Sequence, residues 1–290
     1  MVRLNYSVEL TYQVLWPGAD FIFNIQAAHT AQQRVCAERL AISQPVRSYA
    51  YTDAISHARL LRLKAQPGPL TVSYEATVDI DHHRTAPQLL AEVPMADLPG
   101  HVLPYLYPSR YCESDRLHGF AVQQFGHLWQ GYSRAMAIRD WVNQRVTFKS
   151  NTSSSTTSAC DTLASGQGVC RDFAHLMIAL CRAVNMPARF ATGFDFGADP
   201  ILGPPDFHAY VEVYLGDRWY LFDPSGTAIP MGFVRIATSR DAADAAFATI
   251  FGGVHSLAPR VHIAAVANER GVVIEPHHVS EALSTDSARA

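Results

Sequence analysis

The segment that most restricts the fold is Phe207 to Gly226, "FHAYVEVYLGDRWYLFDPSG". Ala209, Val211, Val213 and Leu215 alternate with His208, Tyr210, Glu212 and Tyr214, the period of a strand. Gly216-Asp217 follows, with glycine where a two-residue type II′ turn needs it. The second strand runs from Arg218 to Asp223. Such a turn sets the register: Leu215 opposes Arg218, Tyr214 opposes Trp219, and Tyr210 opposes Asp223. Opposed residues share a face, so His208 becomes the diagonal neighbour of Asp223, roughly 7–8 Å away at the backbone. An imidazole and a carboxylate can close that gap. The other face, with Val211 and Val213, is expected to pack on a core. A bulge or an odd-length turn would send Asp223 to the wrong side, so this expectation depends on the turn.

A second segment, Ser165 to Pro187, reads as a glycine turn, a cysteine and an amphipathic helix. Phe173, Leu176, Met177, Leu180 and Val184 form its apolar stripe, and Asn185 and Pro187 end it. Cys170 then lies at the first turn, where free amides and the dipole favour a thiolate. Cys181, on the apolar side, reads as core. Asp172 reads as a first-turn carboxylate complementing the dipole, and His175 as packing.

The 290 residues are enough for one large or two medium domains. A net charge of -3 offers no basic excess for phosphates and argues against nucleic-acid binding. No run of eighteen apolar residues suggests a membrane span. The first residues alternate like a strand rather than a signal peptide, and the five cysteines lack regular spacing. Both point to a cytoplasmic, reducing location. The adjacent His82 and His83 rarely converge on one ion in a strand or loop, and no metal or cofactor is implied.

Residues 1 to about 80 read as strands. Leu4, Tyr6, Val8, Leu10, Tyr12 and Val14 give one buried face, with a turn at Trp16-Pro17-Gly18. An N-terminal antiparallel β-sandwich domain is expected over 1–105. Four prolines between Pro94 and Pro108 mark an extended connector that few contacts cross. A catalytic domain is expected over 106–275, with helical pattern from about Gln123 to Val146, weakened at Gly126 and Gly131. Asn151 to Ser158 is a polar run that reads equally as a linker or as a flap beside a site. "ARFATGF" reads as a strand and the glycine- and proline-rich stretch 197–206 as a loop. Residues 276–290 read as a disordered tail.

A thiolate that attacks a carbonyl needs a base, and the base needs an orienting group. Cys170, His208 and Asp223 are the catalytic candidates for those roles. The Cys170 amide is the first oxyanion donor, and Gln167 is either a second donor or a turn residue facing water. Tyr210, Trp219 and Phe207 either line an acyl-binding cleft or pack in the core.

The segments "GQGVCRDFAHL", "ARFATGF" and "FHAYVEVYLGDRWYLFDPSG" resemble the transglutaminase-like superfamily, in its bacterial branch classed with cysteine proteases. The resemblance spans about Trp141 to Asp244, and the strand-rich first third is similar to the β-domain that precedes this core. It implies an α+β fold in which a helix carrying the cysteine packs on an antiparallel sheet carrying the histidine and aspartate. It implies Cys170 as nucleophile, His208 as base and Asp223 as orienting acid, acting on a peptide or protein amide, with water or an amine completing the reaction. No counterpart of the animal transglutaminases' calcium sites is recognisable. The superfamily also contains members without activity, so a silent binding or scaffold protein is the competing expectation.

Overall fold

The computed structural model describes residues 1–54, 56–197 and 206–287. The N-terminal half carries β1 (Val2–Val14), β2 (Ala19–Phe23), β3 (Gln33–Ile42), β4 (Ser48–Thr52), β5 (Arg59–Ala65), β6 (Gly68–Ile80) and β7 (His83–Thr85). Strict alternation along β1 buries the expected face from Leu4 to Val14. The Tyr12 ring meets Phe21 of β2 at 5.1 Å, which joins the faces of two antiparallel sheets. Full burial of each such side chain stabilises by roughly 1.5–3 kcal/mol.

The second half contains α1 (Ser114–Phe125), α2 (Tyr132–Arg145), β8 (Thr147–Phe148), α3 (Ala159–Ser165), β9 (Gln167–Gly168) and α4 (Cys170–Ala183). It continues with β10 (Ala188–Asp195), β11 (Phe207–Leu215), β12 (Arg218–Phe222) and β13 (Phe233–Ser239). These four strands form one antiparallel sheet in the order β12-β11-β10-β13, and α4 packs on it. The fold is therefore the expected α+β arrangement. The helical pattern divides at Gly126–Gly131, but α1 starts at Ser114, well before Gln123, with Asp115 in its first turn and Leu117, Ala121 and Phe125 buried. Among the described residues, no helix is long and apolar enough to cross a membrane.

Three expectations are corrected. The proline-rich connector is not contact-poor: Leu98, Val102 and Tyr105 pack in one cluster with Tyr214 and Trp219 of the β11–β12 hairpin. The stretch 106–275 does not form a separate unit. β14 (Ala248–Phe251) pairs with β2, while β15 (Val254–Ser256) and β16 (Arg260–Ala265) pair with β1, so the chain returns to both N-terminal sheets. Of the expected tail, residues 276–287 are not loose, because β17 (Ala282–Ser284) pairs with β7 and Thr285 is fully buried; 288–290 lie outside the described residues. Asp286 then ion-pairs with Arg189. The expected loop at 197–206 lies, for 198–205, outside the described residues.

Candidate active site

Cys170 is the first residue of α4, following Val169 at the helix N-cap. The Val169 amide donates to Asp172 Oδ2 at 2.9 Å, so the fully buried Asp172 holds the helix start, consistent with a first-turn role. Ser153 donates to its other oxygen at 2.9 Å, and Arg171 donates to Ser153 and to the Ser154 carbonyl. These bonds tie the polar run to the helix start, and Ser150 and Asn151 wall the cleft that Cys170 lines. Of the two readings of that run, the structure fits the wall of a site better than a bare linker. The Cys170 amide lies in the first turn, where N–H groups have no intrahelical acceptor.

The β11–β12 register is the expected one, from Leu215 opposite Arg218 to Val211 opposite Phe222. Gly216 has φ 60°, and Asp217 is not among the positive-φ residues, which is the type II′ combination. His208 Nε2 lies 3.4 Å from Asp223 Oδ1. Asp223 is further held by the Ser225 amide at 3.0 Å, the Ser225 hydroxyl at 2.6 Å and the Ala228 amide at 3.0 Å. Burial works to raise the Asp223 carboxyl, but His208 and these donors outweigh it and the group stays below the usual carboxylate range. Burial likewise works to lower the His208 imidazole. The Asp195 charge, the hydrogen bond to Asp223 and the neighbouring Cys170 outweigh it, and hold the ring well above its ordinary value.

Asp195 was not foreseen. It ends β10, is buried, and its Oδ2 lies 3.2 Å from His208 Nδ1. Tyr210 donates to its Oδ1 at 2.5 Å. Gly193 pairs with His208 across β10–β11, so Asp195, two residues on, shares the imidazole's face. A Cβ at Gly193 would meet the Val234 carbonyl oxygen at 1.9 Å, so only glycine lets β13 approach here. The parity of "ATGFDF" was readable in advance, but no short turn links β10 to β11 and fixes their register.

Cys170, Asp195, Phe207 and His208 line one cleft of about 590 Å³. Its walls include Phe148, Phe190 and Phe247, with Ala258 and Pro259 contributed by the segment that returns to the first sheet. Phe207 stacks on Phe247 at 4.3 Å, so of the aromatic candidates Phe207 does face the cleft. Tyr210 and Trp219 do not line it. Tyr210 is fully buried with its hydroxyl committed to Asp195, and Trp219 sits in the connector cluster with Arg189 over its ring at 4.3 Å. The Gln167 side chain is exposed in β9 and is not part of the cleft wall. His175 is core: it stacks on Tyr111 at 4.9 Å and accepts from the Ala242 amide at 3.1 Å. Both faces of the hairpin are buried, because Glu212 on the His208 side pairs internally with Arg189 and Arg235.

Comparison with known proteins agrees with this architecture. The model of the transglutaminase-like superfamily matches residues 120–224, and that of the bacterial transglutaminase N-terminal domain matches residues 2–101. The crystal structure of a chain named "putative cysteine protease" from Cytophaga hutchinsonii is 39% identical, with a TM-score of 0.90. That likeness covers 98% of this chain and 97% of the other. An uncharacterized protein of Mycobacterium leprae (strain TN) is 27% identical over 116 residues, a match that spans 38% of this chain and 41% of the relative. The chain belongs to the transglutaminase-like superfamily, in the form that carries the bacterial transglutaminase N-terminal domain.

Proposed function

We infer that this protein is a cysteine-dependent amide-bond hydrolase or acyl transferase that works through a thioester on Cys170. The observation that carries the reading is that Cys170 and His208 line one cleft while His208 Nε2 faces Asp223 at 3.4 Å. With Nε2 directed at the Asp223 carboxylate, Nδ1, which Asp195 Oδ2 approaches at 3.2 Å, is the nitrogen that takes the thiol proton. The Cys170 proton passes to Nδ1, and the thiolate forms a bond to the amide carbonyl carbon. The oxyanion is met at the helix start by the Cys170 amide. Collapse breaks the C–N bond, and the imidazolium gives its proton to the leaving amine. Water, or a second amine, then attacks the thioester. Its proton goes to Nδ1, and the C–S bond breaks to release Cys170. Asp223 holds the ring and balances its charge throughout. The phenylalanine-lined walls suit a peptide or protein amide with an apolar side chain near the reacting bond.

Iodoacetamide labelling across pH, with peptide mapping, tests this reading. Cys170 is expected to react well below pH 8, before Cys36. Cys36 is exposed, and its thiol is pushed up by burial and by Asp79. Cys170→Ala is expected to fold normally and to lose every activity found. Labelling of Cys170 no faster than a free thiol would leave a scaffold protein, and turnover by Cys170→Ala would remove the nucleophile.

A further inference from the structure

Asp195 stands outside the Cys170–His208–Asp223 arrangement, yet it meets the same ring. Its Oδ1 is taken by the Tyr210 hydroxyl, while Oδ2, buried, makes no hydrogen bond among the described residues. That free oxygen lies 3.2 Å from His208 Nδ1, the nitrogen that must receive the thiol proton. A buried carboxylate oxygen without a donor is costly unless a cation faces it or a proton neutralises it. Here the cation is the imidazolium. Two anions, the Asp195 carboxylate and the Cys170 thiolate, therefore act on one imidazolium.

We propose that Asp195 is a positioning residue whose carboxylate faces Nδ1 of His208 beside Cys170, and that its charge sets the pH range over which the thiolate–imidazolium pair exists. This rests on Cys170 and His208 being the reacting pair. The groups acting on His208 are Cys170 from α4, Asp195 from β10, Tyr210 on its own strand and Asp223 after β12; Arg171 and Asp206 line the same cleft. Burial pushes the Asp195 carboxyl up to about 6, against the pull of His208 and Tyr210, so its charge changes close to neutrality. Ionised Asp195 makes the thiolate harder to form and the imidazolium harder to discharge. Both effects move the pair to higher pH. In the acyl-enzyme, with the thiolate consumed, the same charge keeps Nδ1 turned into the cleft and favours its uptake of the proton from the attacking water or amine.

The test is the rate of Cys170 alkylation by iodoacetamide against pH, read by mass spectrometry on the full chain. The wild type is expected to show two steps, one as the thiolate–imidazolium pair forms and one as the imidazolium discharges. Asp195→Asn keeps the shape and an acceptor for Tyr210 but removes the charge. Both midpoints are expected to fall by about one pH unit, as for loss of a neighbouring like charge. Tyr210→Phe removes a bond that stabilises the carboxylate, so both midpoints should fall in the same direction by a smaller amount. Midpoints that stay in place in Asp195→Asn, with only the rate scaled, would overturn the proposal and leave Asp195 a buttress for Tyr210. If Asp195→Asn does not fold, unmoved midpoints in Tyr210→Phe overturn it equally. A wild-type Cys170 that titrates in one step as an ordinary thiol would instead remove the reacting pair itself, a result distinct from either.

Discussion

Arg189 and Glu212 face each other across the β10–β11 register, and Arg189 Nε donates to Glu212 Oε2 at 2.6 Å inside the molecule. Arg235 of β13 donates to the other oxygen at 2.8 Å, so one carboxylate ties three adjacent strands. Glu212→Gln leaves two buried guanidinium groups undercompensated and is expected to cost about 3–5 kcal/mol in urea unfolding. Asp286→Asn should cost less, because the Asp286 side chain is 25% exposed.

Asp223 joins the ring of His208 to the turn that follows β12. Asp223→Ala leaves the Ser225 and Ala228 amides without their acceptor and should cost about 1–3 kcal/mol for each in denaturant melts. Asp223→Asn keeps part of that acceptor set, so its stability loss should be smaller. It removes the charge behind His208, and acyl-enzyme formation from an activated ester should slow by about 10²–10⁴-fold in single-turnover measurements.

His175 predicts a pH dependence of stability. Burial pushes its imidazole down to about 3. Above pH ~6.5 the ring is neutral in both folded and unfolded chains, and its contribution is fully present. As pH falls from there toward 3, only the unfolded chain takes up the proton, so stability is lost. Between pH 6.5 and 5 that loss is about 1.6 kcal/mol. Urea melts of wild type and His175→Gln should diverge by that amount over this window, because the glutamine can accept from the Ala242 amide without titrating. The subtraction also cancels His82, which burial pushes down to about 4. Curves that stay parallel would show that His175 is not held neutral.

The relation of His208 to Asp223 was legible because two turn residues fix an entire hairpin, leaving no freedom in register. The relation of His208 to Asp195 was not, since β10 and β11 are joined by a long connection whose length sets nothing. Parity placed Tyr210 and Trp219 on the correct face but not at the correct place along it. Trp219 lies near the hairpin tip, where Tyr105 and Tyr214 enclose it. The C-terminal stretch looked disordered because its composition is polar. What orders it is β17 on β7 and the charge of Asp286 against Arg189 and Arg235, which lie about fifty to one hundred residues earlier.

The last strands also decide how this molecule can be divided. With β15 and β16 laid along β1, and β14 along β2, the polypeptide closes on its own beginning. A cut near residue 105 would strip those strands away and bare the backbone amides and carbonyls of β1 and β2. Exposed edges of that kind recruit other chains, so the severed halves should precipitate where the whole protein stays dispersed.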